Sequence, residues 1–300
     1  LSTDFFKDDG VFLPMLNDTA RNEFYSAALK IAAPGKIVCD IGAGTGFLTV
    51  MALQSGAEHV IAVEKNPERF EYLKTNLAHV GCMDQVTLIC ADFLDCDISA
   101  DVYVSETINT QILGEDMVRL SNHALRHGGE FIPGKIEIWA EVYRNHPVFT
   151  LDLTGSEAVD YDPIVNVNSA FVNAVNSQFS SQYSLQDTVF RANNLNRLFT
   201  MLDQFTDIKL EKLYHGMPIV LDLGCHQVED NTVLTIPNNF KQHDWAMLVL
   251  KWKMSYHDQV LNSNRCWFGN VAKQLRQDYA TADQIEIRYS SAIKNWQLKY

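Results

Sequence analysis

Glu106 and Glu115 stand nine positions apart and close the segment Val102-Tyr103-Val104-Ser105-Glu106-Thr107-Ile108-Asn109-Thr110-Gln111-Ile112-Leu113-Gly114-Glu115. An acidic pair at the end of an apolar run suits a planar cation, because two carboxylates can take a guanidinium through paired, charge-assisted hydrogen bonds. The ordinary alternative is a pair of solvated loop charges. What lies upstream decides between them.

Upstream, Asp40-Ile41-Gly42-Ala43-Gly44-Thr45-Gly46 sits between an apolar run and a helical one. Glycines there let the backbone approach a ligand, and the first helical amides face it. The dinucleotide fingerprint would require glycine at Phe47, so this GxGxG spacing points away from a pyrophosphate. Glu64 ends the next apolar run, 22 positions after Gly42, where a carboxylate can accept both ribose hydroxyls of an adenosine. Asp92 follows the third run at the adenine edge, with Phe93 as a flat contact. Singly, Glu64 reads equally as a strand-end charge and Asp92 as a helix cap. Jointly, Asp40, the three glycines, Glu64 and Asp92 mark an S-adenosyl-L-methionine site at the carboxyl ends of successive strands.

The elements that must hold these residues alternate. Apolar runs at 36–40, 59–64, 86–90 and 101–105 read as buried strands, and 15–31, 47–54, 67–79 and 117–127 as helices. Such alternation predicts a parallel sheet. After Pro133 the grammar changes: 135–143, 232–236, 246–252, 284–290 and 296–300 largely alternate, which predicts antiparallel β structure. Residues 165–205, rich in Asn, Ser and Gln, read as an insertion with a helix at 185–205. The expected architecture is an N-terminal Rossmann-like α/β domain followed by an antiparallel β-barrel. Its parts are N-terminal helices to 30, a cofactor domain over 31–133, and a substrate domain over 134–300 with an arm at about 165–205.

Composition bounds the rest. With 300 residues, 47% of them hydrophobic, the chain can build a large core. A net charge of −13 argues against electrostatic nucleic-acid binding and for a cationic partner. The six cysteines show no CxxC spacing, so free thiols and a cytoplasmic setting are expected, with no metal site. His123 and His127 could face a metal from one helical turn; the competing reading puts them at a helix C-terminus, where positive charge is favourable. No apolar run is long enough for a membrane span.

With these motifs on the page, the sequence resembles the protein arginine methyltransferases. Asn17, Asp18 and Arg21 look like that family's cofactor-clasping helix, and Glu106 to Glu115 like its double-glutamate loop. Phe131-Ile132-Pro133 resembles the passage into its β-barrel, and 165–205 falls where the family inserts a dimerisation arm. The resemblance implies that Arg21 pairs with the methionine carboxylate of the donor. It implies that Glu106 and Glu115 grip a guanidino substrate, protein arginine or a small molecule, and that the chain forms a homodimer. It puts Phe6, Asp244 and Trp245 on the substrate side. Phe5 and Phe6 lack the hydroxyl of the family's N-terminal tyrosines, Phe12 stands where many members have histidine, and the better match to the family's loop, His243-Asp244-Trp245, has aspartate where the family has histidine; Arg265-Cys266-Trp267 is the competing match. Trp245 reads equally as a buried core residue. Two other readings remain: a methyltransferase for another nitrogen, oxygen or carbon acceptor, with the glutamates as general base, and a non-catalytic binding member of the fold.

Overall fold

The computed structural model describes residues 16–109, 111–144, 149–152, 164–167, 189–190, 211–225, 232–237, 246–263, 271–275 and 283–299. Helix α1 (Thr19–Ala32) leads, capped by Asp18, whose side chain accepts the Arg21 amide at 3.0 Å. Its buried stripe runs Arg21, Phe24, Tyr25, Ala28, Leu29 and Ala32, the helical repeat with an arginine at its head.

Then follow β1 (Ile37–Ile41), α2 (Phe47–Gln54), β2 (His59–Val63), α3 (Pro67–Val80), β3 (Val86–Ile89), β4 (Val102–Ser105), α4 (Met117–Ala124) and β5 (Glu130–Ile132). The five strands form a parallel sheet in the order β3-β2-β1-β4-β5. β5 lies outside the expected list: three residues after Gly128-Gly129 are too few to carry a period, and pairing with β4 is what makes them a strand. α4 ends at Ala124, and 125–127, expected to continue it, form a tighter turn.

Beyond a cis Ile132-Pro133 bond the pattern is antiparallel. β6 (Lys135–Arg144) is followed by β7 (Phe149–Asp152), β8 (Ile164–Val167), β9 (Val189–Phe190), β10 (Lys212–His215), β11 (Ile219–Asp222), β12 (Val233–Pro237), β13 (Ala246–Tyr256), β14 (Gln259–Asn262), β15 (Val271–Leu275), β16 (Gln284–Ser290) and β17 (Asn295–Lys299). Among the described residues these make a six-stranded sheet built on the long β6–β13 pair and two three-stranded sheets, β12-β16-β17 and β7-β8-β9. The helix expected over 185–205 is corrected at Val189–Phe190, which pair with β8. Valine and phenylalanine favour the pleated surface, and strand pairing overrides the local pattern. The rest of that arm lies outside the described residues.

One core runs through both halves, from Val38, Val60 and Val102 of the parallel sheet to Ile138, Leu248 and Trp252 of the antiparallel one. Buried Glu141 on β6 is held by Lys212 at 2.8 Å, His215 at 2.7 Å, Lys251 at 3.4 Å and the Tyr143 hydroxyl. No helix among the described residues is long and apolar enough to cross a membrane.

Candidate active site

The sheet order reverses at β1: β2 and β3 lie to one side, β4 and β5 to the other. A crevice therefore opens beyond the carboxyl ends of β1 and β4, the place where such sheets bind ligands. The turn after β1 carries Gly42, Gly44 and Gly46 at φ +75°, +54° and +86°, a region that side chains other than glycine rarely enter. A Cβ on Gly46 would meet Leu73 Cδ1 at 2.9 Å, so its lack of a side chain also lets α3 pack against the loop. Asp40 is fully buried and accepts the Thr49 hydroxyl at 2.7 Å. Burial and the neighbouring Glu64 charge push its carboxyl up to about 7, against the Thr49 bond.

Glu64 accepts the Gly44 amide at 2.9 Å through one oxygen and the Asn66 amide at 2.8 Å through the other. A carboxylate has about four lone-pair sites, so two ribose hydroxyls can still be accepted. Asp92 caps the turn Phe93–Asp95 by accepting the Leu94 amide at 3.0 Å, and its other oxygen lies 3.8 Å from Lys65. The cap reading of Asp92 is thus realised. Phe93 is 4% exposed, with its ring in T-shaped contact with those of Tyr103 and His123. The cap bond turns the chain inward directly after Asp92 and carries the ring into the core.

Arg21 meets the acidic loop. It is 1% exposed, and its Nη1 lies 3.5 Å from Glu106 Oε2. That is an ion-pair distance without hydrogen-bond geometry: Nε and Nη1 of Arg21, Oε1 of Glu106 and Oδ1 of Asp40 are buried with no hydrogen-bond partner. Buried polar atoms of this kind are costly and rare in a folded protein. They fit a ligand with a carboxylate for the guanidinium and a cationic group for Glu106.

The acidic loop itself begins at Ser105. Its carbonyl accepts the Tyr25 hydroxyl at 3.0 Å, and its own hydroxyl donates to Ile41 O at 3.1 Å and neighbours the Thr107 hydroxyl at 3.0 Å. Asn109 Oδ1 accepts the Gln111 amide, and its side chain lies so close to Gly114 that a Cβ there would sit 2.4 Å from Asn109 Nδ2. Burial, opposed by Arg21, raises Glu106 to about 7. Burial and the charge of Glu106 raise Glu115 to about 8. In the sequence Tyr25 reads only as an apolar position of the first helix; its place four residues after Arg21 on the buried stripe is the signal for its contact with the loop.

Phe6, Asp244 and Trp245 lie outside the described residues, as do Phe5, Phe12 and His243. His123 hydrogen-bonds the Cys96 carbonyl at 2.8 Å, and His127 pairs with Asp97 at 2.8 Å. No cluster able to hold a metal occurs among the described residues.

Comparisons with known proteins bear on the fold and on what the chain is similar to. A family model described as the TRM5/TYW2 methyltransferase domain matches residues 17–138. Protein arginine N-methyltransferase 7 of Drosophila ananassae is 34% identical over 148 residues, which is 44% of this chain and 21% of that protein. Protein arginine N-methyltransferase 9 of Homo sapiens is 30% identical over 171 residues, 47% of this chain and 20% of that one. Arginine N(omega)-methyltransferase of Streptomyces achromogenes subsp. streptozoticus is 34% identical over 120 residues, covering 38% and 33%. The matches thus span between a fifth and a third of these relatives' lengths. The crystal structure of PRMT6-SAH superposes with a TM-score of 0.60 at 14% identity, over 97% of this chain and 99% of that one. The α/β domain followed by antiparallel sheets is therefore the architecture of the arginine methyltransferase structures.

Proposed function

We propose that this chain, a divergent relative of the protein arginine N-methyltransferases, transfers a methyl group from S-adenosyl-L-methionine to a guanidino nitrogen of arginine, in a protein side chain before a free small molecule. The observation that carries the reading is buried Arg21 imperfectly paired with the part-buried Glu106 at the switch point of the sheet, 3.5 Å apart.

S-adenosyl-L-methionine supplies a methyl on a sulfonium with its own leaving group, so no metal is required. Arg21 would hold the donor's carboxylate, which its planar fork suits. The glycine turn with Glu64 would hold the adenosine end. Glu106 and Glu115 take the guanidinium, draw its positive charge to one side and leave another nitrogen free to attack. Free thiols at Cys39, Cys82 and Cys96 suit a reducing compartment such as the cytoplasm. Self-association through 165–205 belongs to the same reading, and a monomeric mass in solution scattering would defeat it.

A carboxyl near neutrality is also what a general base for another acceptor needs. Glu106→Gln separates the two readings. On the guanidino reading it lowers kcat by about 10²- to 10³-fold and weakens the cationic acceptor, with donor affinity nearly unchanged. On the general-base reading, acceptor affinity stays. The direct test offers labelled donor with cell protein and with small metabolites, then localises the methyl by mass; no label on a guanidino nitrogen in either pool sinks the proposal.

A further inference from the structure

We propose that the closing β16–β17 hairpin positions the acidic loop, with Tyr289 and Trp296 as positioning residues for Glu115. The inference rests on the methyl-transfer reading for what the loop does, while the placement stands on contacts alone. Tyr289 and Trp296 are opposite one another across the two strands, 3% and 2% exposed, with rings 5.4 Å apart and edge to face. Buried aromatics need partners for their polar tips. Here both tips reach the acidic loop: Trp296 Nε1 donates to the Gln111 carbonyl and the Tyr289 hydroxyl to the Leu113 carbonyl, each at 2.9 Å. From the turn of the same hairpin, Lys294 Nζ reaches Asp116 Oδ2 at 2.7 Å.

The three contacts bracket the strained part of the loop. Ile112 lies between the two accepting carbonyls at φ +66°, and Asp116 follows Glu115 at φ +64°. A β-branched residue in the left-handed region costs on the order of 1–3 kcal/mol and persists only where its surroundings over-determine it. The hairpin is that surrounding. Residues 106–109 and 111–116 belong to no strand or helix, so no regular ladder among the described residues fixes Glu115 between Leu113 and Asp116. A carboxylate that must orient a guanidinium is sensitive to shifts of about 1 Å, which can cost about 10²-fold in rate.

The experiment compares Tyr289→Phe, which keeps the ring and loses one donor, and Trp296→Phe, which loses the donor together with part of the indole, with Tyr256→Phe. The Tyr256 hydroxyl donates to Glu130 at 2.5 Å, another bond between the two halves but away from the loop. Hydrogen exchange of amides 111–116 is read on the ligand-free protein, alongside donor affinity, kcat and KM for an arginine peptide. Each loop variant is expected to speed exchange about fivefold, the equivalent of one hydrogen bond. It should lower kcat about 10- to 100-fold with donor affinity held. Tyr256→Phe should leave loop exchange and kcat as in the parent. Unchanged loop exchange in both loop variants, or an equal kcat loss in Tyr256→Phe, overturns the proposal. Faster loop exchange in both loop variants, with a parent that methylates no guanidino acceptor, would sink the methyl-transfer reading and leave the positioning intact.

Discussion

The affinity of the acidic pair for a guanidinium should climb steeply with pH. Glu106 and Glu115 titrate near 7 and 8 without a cation, as one coupled pair. Both values lie above the ordinary carboxylate value, so below them the neutral form prevails and the anionic pair must be made by losing protons. At pH 6.5 the pair holds roughly 1.7 protons and at pH 9 roughly 0.1, whereas arginine keeps its charge throughout. Binding that needs both anions therefore releases between one and two protons at pH 6.5. Binding should be about 100-fold weaker there than at pH 9, nearly 3 kcal/mol, with the gain levelling off above pH 8. Calorimetric titration of the donor-free protein with an arginine peptide, in two buffers of different ionisation enthalpy, measures affinity and proton release together. Glu115→Gln should remove the component near 8 and leave at most one proton to release. Affinity that is flat between pH 6.5 and 9, or net proton uptake, would refute the reasoning.

Four substitutions probe the remaining framework. Arg21→Met removes the cation that holds the Glu106 carboxyl down; donor affinity should fall about 10- to 100-fold by calorimetry, the scale of one lost charged hydrogen bond or two. Gly114→Ala places a Cβ against the Asn109 side chain, and overpacking of about 1–3 kcal/mol should appear as a lower melting temperature and reduced kcat, part of which Asn109→Ala restores in the double variant. Gly46→Ala combines φ +86° with a 2.9 Å approach to Leu73 and should cost about 1–3 kcal/mol in urea unfolding, together with donor affinity. Glu141→Ala removes the shared partner of Lys212, His215, Lys251 and the Tyr143 hydroxyl and should destabilise by about 3 kcal/mol in the same assay.

The parallel half was legible because its strands and helices each carry their own period, and because acidic residues and glycines fall at strand ends, where topology collects them. Asp40, Glu64 and Glu106 needed only that rule to be brought to one crevice. That rule says nothing of where the Phe93 ring goes: it follows the side-chain cap at Asp92 and meets Tyr103 of β4 and His123 of α4. Val189 and Phe190 escaped for a related reason, since a helical pattern within 185–205 says nothing of a partner strand that begins 25 positions earlier at Ile164. The hairpin's hold on the acidic loop lies furthest from sequence logic. Its hydrogen bonds join residues 176 and 185 positions apart, and the alternation that predicts β16 and β17 reports only which face is buried. What a buried tyrosine or tryptophan does with its polar tip depends on the backbone that folding brings to it. Here that backbone is the loop between the two glutamates. A substitution that preserves every apolar contact of the β domain can therefore still displace the chemistry of the α/β domain, and Tyr289→Phe is the smallest change that asks whether it does.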